Sequence, residues 1–185
     1  GATPETLLEL NNPHGTTMAL AGTKKDASTN WTEKEKYEHA VVVQHIEHVL
    51  SKHDVTFKTE NIQTIDTGVV QHLCTKITLE DVQPGTIDFK FLQDFHPTPA
   101  VCGLPVKSAA NFIDGLESHS RELYGGFLGP VDPSGMHLFV NLRCMKWSMG
   151  TFQLYLGGGI TRDSNPESEW IETEMKASTL QSVMD

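Results

Sequence analysis

The chain has 185 residues, of which 38% are hydrophobic and 21% charged, and its formal net charge is −10 at pH 7. These values predict one globular domain with a sizeable core, and the negative charge argues against binding to nucleic acid or to an anionic membrane. Three cysteines without CxxC spacing and the lack of a long apolar segment argue against disulfides, structural zinc and a membrane span, and favour the cytoplasm.

The first predicted elements are a long helix and the short runs that follow it. Apolar side chains recur every three or four positions over residues 33–53, which predicts a helix with a buried stripe. This stripe consists of Val42, Ile46, Val49 and Leu50. The composition of residues 55–57 and 62–73 predicts β-strands.

Helices and strands continue to alternate in the second half of the chain. A helix is predicted to begin near Pro105, with a buried stripe made of Val106, Ala109, Ala110, Ile113 and Leu116. Residues 136–145 and 151–156 are predicted to form a hairpin across residues 147–150, and Arg143 lies on the less apolar face of its first strand. A capping box at residues 164–167, with proline just inside the helix start, predicts a last helix. The chain is therefore predicted to be a single mixed α/β domain over residues 1–185.

The last helix carries two carboxylates and a lysine on one face. Glu169, Glu172 and Lys176 are spaced i, i+3 and i+7, and Leu180 continues the same face. One interpretation is a solvated helix whose acidic first turn is favoured by the helix dipole. The alternative is a pair of Mg²⁺ ligands followed by a lysine that can hold a carboxylate of a ligand.

A glutamate also lies on the apolar stripe of the first long helix. Glu38 precedes Val42 by one turn and Ile46 by two, whereas residues 33–36 form a charged run that we interpret as solvated. A buried carboxylate without a partner is costly, so Glu38 needs a compensating group. A second carboxylate such as Glu172 together with a divalent cation would provide one, and oxygen-only ligands suit Mg²⁺.

Two glycine clusters and an arginine are further candidates for binding an anion. Gly22 and Gly157 each follow a β-like run, where glycine lets backbone amides approach a ligand, although tight turns use glycine in the same way. The planar fork of Arg143 suits a carboxylate, although a surface arginine would have the same sequence pattern. Nucleophile-elbow, Walker and dinucleotide-binding motifs are absent from the sequence.

Nine short motifs are distributed along the whole chain. They lie at residues 1–5 (GATPE), 20–23 (LAGT), 35–39 (EKYEH), 72–75 (HLCT), 96–100 (HPTPA), 124–126 (YGG), 142–144 (LRC), 157–160 (GGGI) and 169–176 (EWIETEMK). In order and spacing they resemble those of the chorismate-utilising enzymes, which include isochorismate, salicylate, anthranilate and aminodeoxychorismate synthases. The motif at residues 96–100 is similar to that of isochorismate synthases, and the chain most resembles the menaquinone-specific members.

This resemblance implies the chorismate-binding fold, related to anthranilate synthase component I, and the role of each site residue. Glu5 is implied as the general acid that protonates the departing C4 hydroxyl of chorismate, so a desolvated site that raises its pKa is expected. Glu38 and Glu172 are implied as Mg²⁺ ligands, with Glu169 as a nearby or water-mediated ligand. Residues implied to hold the carboxylates of chorismate are Gly22, Arg143, Gly157 and Lys176. Those implied to line the ring pocket are Thr23, His72 and Ala100.

The resemblance further implies that this chain is the C-terminal portion of a catalytic domain. The family's base, a lysine that activates the attacking water, belongs to a strand upstream of Gly1. An isochorismate synthase that acts as a monomer on chorismate is the resulting expectation. Two alternatives stay open: a salicylate synthase, which also releases pyruvate, and a non-catalytic chorismate-binding fragment.

Overall fold

The computed structural model, which describes residues 5–24, 28–66, 70–83 and 85–182, is built around one large antiparallel sheet. Among these residues the sheet has eight strands in the order β3-β5-β2-β1-β8-β6, with β4 beside β5 and β7 beside β8. Its strands are β1 (Thr6–Asn11), β2 (His14–Lys24), β3 (Thr56–Thr59), β4 (Gln63–Asp66), β5 (Gln71–Glu80), β6 (Phe127–Leu128), β7 (Val131–Asp132) and β8 (Gly135–Val140). A separate hairpin consists of β9 (Cys144–Ser148) and β10 (Thr151–Tyr155).

The long helix α1 (Glu33–Lys52) packs on the sheet, mainly against β2, as its apolar period predicts. It starts with a capping box in which Thr32 and Glu35 satisfy each other's backbone N–H groups. Val42 and Ile46 are 1% exposed, and burial of each such side chain stabilises the fold by about 1.5–3 kcal/mol. Helix α1 thereby places its first turn beside the end of β2.

Residues 62–73 contribute to β-strands, as predicted, but to two strands and not to one continuous run. The chain forms β4 and then folds back, so that β4 pairs antiparallel with the start of β5, with Gln63 opposite Cys74 and Asp66 opposite Gln71. Side chains along β5 alternate between buried and less buried positions, with Ile77 and Leu79 fully buried under α1.

The predicted strand at residues 136–145 is divided between two sheets. Leu138 and Val140 point into the core from β8, as predicted, but the strand ends there and β9 starts the separate hairpin at Cys144. The break includes Arg143, whose φ of 47° is left-handed and cannot continue a strand. Arg143 therefore leaves the alternation that the sequence predicts for it. The hairpin turns at Met149-Gly150 alone, with φ of 50° and 77°, as in a type I′ turn.

Three further helices complete the described structure: α2 (Phe89–Phe95), which the sequence analysis missed, α3 (Val106–Leu116) and α4 (Pro166–Gln181). Helix α3 begins after Pro105 as predicted, but its apolar stripe is not buried, and Leu116 is 68% exposed because no described element covers this face. Helix α4 begins as predicted, although Asn165 rather than Ser164 caps it, accepting a hydrogen bond from Ser168 N.

The mixed α/β class predicted from the sequence is confirmed. The core lies between α1, α2 and the sheet, where Phe91 and Phe95 stack with ring centroids 5.0 Å apart. Within the part of the chain that the structure describes, no helix combines the length and the apolar character needed to cross a bilayer.

Candidate active site

Three glutamates from two helices converge on the glycine segment between β10 and α4. A Cβ placed on Gly158 would lie 3.5 Å from Oε2 of Glu169 and 3.7 Å from Oε1 of Glu172. A Cβ on Gly159 would lie 3.9 Å from Oε1 of Glu38. Glu169 is only 7% exposed, so the carboxylate face of α4 is turned towards the protein and the solvated-helix interpretation is wrong.

Lys34 lies within this carboxylate cluster. Its Nζ is 2.6 Å from Oε1 of Glu169 and 3.6 Å from Oε1 of Glu38, and its side chain is 24% exposed. The interpretation of residues 33–36 as a solvated run is therefore wrong for Lys34. The ammonium occupies a position between the two helices because Glu38, one turn further along α1, and Glu169 on α4 both attract it.

The electrostatics of the cluster favour a further cation. Burial raises the pKa of Glu38, the carboxylates of Glu169 and Glu172 raise it further, and Lys34 opposes them. Burial would also raise the pKa of Glu169, but hydrogen bonds from Lys34 and Ser164 hold it below its usual value. Oε1 of Glu38 is buried and has the ion pair with Lys34 at 3.6 Å but no hydrogen bond among the described residues, so it can accept a further partner.

The donor chemistry of the cluster fits a hard divalent cation. Its ligating atoms are carboxylate oxygens, which Mg²⁺ prefers and usually uses together with water and substrate oxygens. The described residues hold no group of three or more His, Cys, Asp or Glu side chains arranged around one metal position. A Mg²⁺ site does not require such a group, because one or two carboxylates are usually sufficient when water and substrate complete the shell.

Lys176 and Gly157 lie at the edge of the carboxylate cluster. Nζ of Lys176 donates hydrogen bonds to Oε1 of Glu172 at 2.7 Å and to the carbonyl of Gly157 at 3.0 Å. Gly157 is required there by close packing, because a Cβ would lie 2.7 Å from the hydroxyl of Tyr124. Tyr124 is held in turn by a stack on Tyr155, with centroids 6.1 Å apart.

Replacement of Gly157 by alanine is expected to destabilise the protein by about 1–3 kcal/mol, because the added methyl group overlaps the Tyr124 hydroxyl. Tyr124→Phe removes that oxygen, and the next ring atom, Cζ, lies at an ordinary contact distance of 3.8 Å. The double variant Gly157→Ala/Tyr124→Phe should therefore recover most of the loss in urea unfolding. Additive losses in this double-mutant cycle would show that the Tyr124 hydroxyl does not set the need for glycine.

A second cluster lies where the end of β2 and the start of β5 meet the segment between β8 and β9. Nε2 of His72 is 3.0 Å from a guanidinium nitrogen of Arg143, which can only donate, so Nε2 accepts the hydrogen bond. The ring proton is therefore on Nδ1, which donates to the carbonyl of Gly22 at 3.0 Å and lies 3.2 Å from Oγ1 of Thr23. The contacts of His72 thus fix one tautomer of a neutral imidazole.

The surroundings of His72 keep it neutral. Its imidazole is 4% exposed. The pKa of His72 is lowered to about 4, mainly by burial. The hydrogen bond to Gly22 raises this pKa, and the charges of Arg143 and Lys176 lower it. Gly22 permits this contact because its φ of 77° is left-handed and its Cα passes over the first turn of α1. This hydrogen-bond network holds the guanidinium of Arg143 in place and leaves the imidazole of His72 uncharged.

Glu5 is the most strongly perturbed carboxyl in this second cluster. It is 4% exposed, and its backbone carbonyl accepts a hydrogen bond from Val140 N at 3.1 Å. Burial raises the pKa of Glu5 to about 8, although the nearby Arg143 charge lowers it. The expected desolvated, protonated carboxyl is therefore present at neutral pH.

Arg143 connects the two clusters. It is 9% exposed, and burial lowers its pKa while the carboxyls of Glu172 and Glu5 raise it. One guanidinium thus interacts electrostatically with a carboxylate of the first cluster and with the acid of the second. Lys176 is near the second cluster too, because its charge, like that of Arg143, lowers the pKa of His72.

Predicted and observed site residues differ at several positions. Ala100 is exposed in the turn after Pro99, and no described contact joins it to the two clusters, so its role as a pocket residue stays a prediction. Residues 1–4 of the first motif lie outside the described residues. Tyr124 belongs to the motif at residues 124–126, but its packing against Gly157 had no signal in the sequence. His39, in the motif at residues 35–39, is 2% exposed, although the predicted apolar stripe of α1 did not include it.

Sequence comparisons relate the whole chain to known enzymes. Residues 1–185 match the family model described as chorismate binding enzyme. The chain is 32% identical to the vibriobactin-specific isochorismate synthase of Vibrio cholerae, over 97% of this chain and 49% of that protein. It is 33% identical to the isochorismate synthase MenF of Escherichia coli K12, over 100% of this chain and 45% of that protein.

Solved structures give the same relation. The structure of MenF, the menaquinone-specific isochorismate synthase from Escherichia coli, matches with a TM-score of 0.87 and 31% identity, over 100% of this chain and 45% of that one. Anthranilate synthase component I from Streptococcus pneumoniae matches with a TM-score of 0.80 and 24% identity, over 97% and 42%, and so shares the fold. The chain spans about half the length of the curated relatives it matches.

Proposed function

Because this chain belongs to the chorismate-binding enzyme family and has its fold, we propose that it forms part of an isochorismate synthase. The reaction adds water at C2 of chorismate and removes the hydroxyl at C4. The named activities of the relatives, isochorismate synthases of vibriobactin and menaquinone synthesis, support the proposal. The observation that carries it is the buried Glu5, whose pKa is raised to about 8 opposite the cationic Arg143.

In the proposed reaction Glu5 acts as the general acid. Departure of hydroxide from C4 requires a proton, and a carboxyl that stays protonated at neutral pH can donate it from Oε to the leaving oxygen. Burial keeps Glu5 protonated because ionisation would place an anion in a low-dielectric site. The base that activates the attacking water is not among the residues that we assign.

Arg143, Lys176 and Gly157 orient the substrate in this proposal. The two cations would hold the carboxylates of chorismate, and His72, with Gly22 and Thr23, would flank the ring. Since His72 is neutral and its Nε2 is occupied by Arg143, it positions groups and does not transfer protons. Ala100 is assigned to the pocket only by resemblance.

The proposal includes Mg²⁺, held by Glu38 and Glu172 with Glu169 nearby. Bound Mg²⁺ would neutralise the ring carboxylate of chorismate and help to orient it. The convergence of three carboxylates and the buried Oε1 of Glu38, which lacks a hydrogen bond, support this assignment. Lys34, which now lies between Glu169 and Glu38, would have to move aside for the cation.

We further propose that the enzyme works in the cytoplasm as a monomer and supplies menaquinone synthesis. Free Cys74, Cys102 and Cys144 suit a reducing compartment, and the likeness to the menaquinone-specific enzyme supports the pathway. A strain without the gene should then need menaquinone. A strain that instead lacks only a catechol siderophore would place the enzyme with its vibriobactin-specific relative.

The direct test is to incubate the full-length protein that carries this chain with chorismate and Mg²⁺ and to separate the products by chromatography. The proposal expects isochorismate, in equilibrium with chorismate, and no release of pyruvate. Salicylate together with pyruvate would identify a salicylate synthase instead. Binding of chorismate without any product would identify a non-catalytic binding module.

A further inference from the structure

A buried hydrogen bond between polar side chains connects α1 to β5 beneath the candidate site. Nε2 of His39 lies 2.7 Å from Oγ1 of Thr75. His39 is 2% exposed and Thr75 is 3% exposed, so both side chains are withdrawn from water. The proposed reaction uses neither residue, although a buried polar pair carries a desolvation cost that an apolar pair would not have.

The position of this bond along both elements is informative. His39 follows Glu38 directly on α1, and Thr75 lies three residues after His72 on β5. The next contacts of α1 with the sheet are made by aliphatic side chains, Val42 and Ile46. Aliphatic packing tolerates small rotations of a helix, whereas a hydrogen bond loses most of its strength when its distance or angle changes.

We propose that His39 is a positioning residue whose hydrogen bond to Thr75 fixes the rotation of the first turns of α1, so that Glu38 faces the segment of Gly158 and Gly159. This inference rests on the proposed function, because it assigns Glu38 to cation binding. Glu38 and His39 are about 100° apart around the helix axis. A rotation of α1 that moved His39 off Thr75 would therefore swing Glu38 away from Glu172 as well.

A positioning role and a merely structural role predict different results for one double variant. In His39→Leu/Thr75→Val both polar groups are replaced together by apolar groups of similar size, which leaves no orphaned partner and is close to neutral for stability. If the hydrogen bond fixes the rotation of α1, this variant keeps its urea midpoint and loses about tenfold in Mg²⁺ affinity. If the bond serves stability alone, the midpoint falls and the affinity does not change.

Two single variants provide matched controls. In His39→Gln the terminal amide nitrogen reaches about as far as Nε2 of histidine and can keep the bond to Thr75, so its Mg²⁺ affinity should stay within about twofold of the wild type. Ile46→Leu changes the same apolar stripe without affecting the bond, and volume-conserving swaps cost less than about 1.5 kcal/mol. Its affinity should also be unchanged.

The experiment is isothermal titration of the full-length protein that carries this chain with MgCl₂, paired with urea unfolding of each variant. Tenfold weaker binding by His39→Leu/Thr75→Val, with both controls near the wild type, supports the positioning role. Equal binding by the wild type and the double variant overturns this inference and leaves the proposed function intact. Absence of binding by the wild type overturns the metal assignment of the proposed function and this inference with it.

Discussion

Replacement of Glu5 by glutamine is expected to lower turnover of chorismate by about 100-fold or more in the full-length enzyme, because general acids contribute about 10²–10⁴-fold to rate. The amide has nearly the same shape as the carboxyl but cannot donate a proton to a leaving hydroxyl. Glu9→Gln, on the strand β1 that directly follows Glu5 and less buried, is the matched control and should retain activity. Chorismate consumption under saturating Mg²⁺ measures both. Near-normal turnover by Glu5→Gln would remove Glu5 from the role of acid.

The pH dependence of activity follows from the same carboxyl. Because burial raises the pKa of Glu5 to about 8, the acid is protonated throughout the neutral range and is lost as the pH rises above 8. Activity of the wild type should therefore decline on the alkaline side near this value. A profile that stays flat to pH 10 would contradict the assignment, since an ionised Glu5 has no proton to give.

Stability should respond to pH in the opposite sense from that caused by a carboxylate whose pKa falls on folding. The unfolded chain ionises Glu5 at its usual pKa of 4.5, whereas the folded protein holds the proton up to about pH 8. The favourable contribution of protonated Glu5 is therefore complete below the unfolded pKa and is lost as the pH rises through this window, by about 1.4 kcal/mol per unit. The stability of Glu5→Gln relative to the wild type should rise with pH between these values. Urea unfolding at several pH values measures the difference, and a pH-independent difference would show that Glu5 titrates normally.

Replacement of Glu172 by glutamine is expected to weaken Mg²⁺ binding by about 100-fold. The substitution removes a unit negative charge from the coordination shell of a divalent cation, and the neutral amide recovers only part of the lost attraction. Lys176 loses its 2.7 Å ion pair in the variant and becomes a further repulsive charge near the cation. Both effects act in the same direction.

The matched control for Glu172 is Glu174→Gln, an exposed glutamate two residues further along the same helix. It removes the same charge from α4 but does not belong to the carboxylate cluster, so its Mg²⁺ affinity should change little at physiological salt. Calorimetric titration of the full-length protein with MgCl₂ measures both variants. Equal weakening of Mg²⁺ binding by the two variants would show that the effect comes from the net charge of the protein alone. Unchanged binding by Glu172→Gln would remove Glu172 from the metal site.

Local sequence patterns were sufficient for the helices that carry the carboxylates. The apolar period of residues 33–53 and the start signals near residue 165 correctly located α1 and α4, because helix geometry and capping depend on neighbours within one or two turns. A glutamate on an apolar stripe is unexpected in a solvated helix, and this conflict pointed to Glu38 and Glu172. The structure places these two side chains beside one glycine segment.

Contacts between distant parts of the chain were decided only by the tertiary structure. No local pattern indicated that Lys34 would contact Glu169, 135 residues away. Nor did any pattern indicate that Arg143 would leave its strand and fix the tautomer of His72. It also predicted a buried stripe on α3 that no described element covers. Periodicity specifies which face of an element is apolar, because it reflects the geometry of that element alone. Which partner meets that face, and where a strand passes from one sheet to the next, depends on packing and hydrogen bonding between segments that the local pattern does not encode.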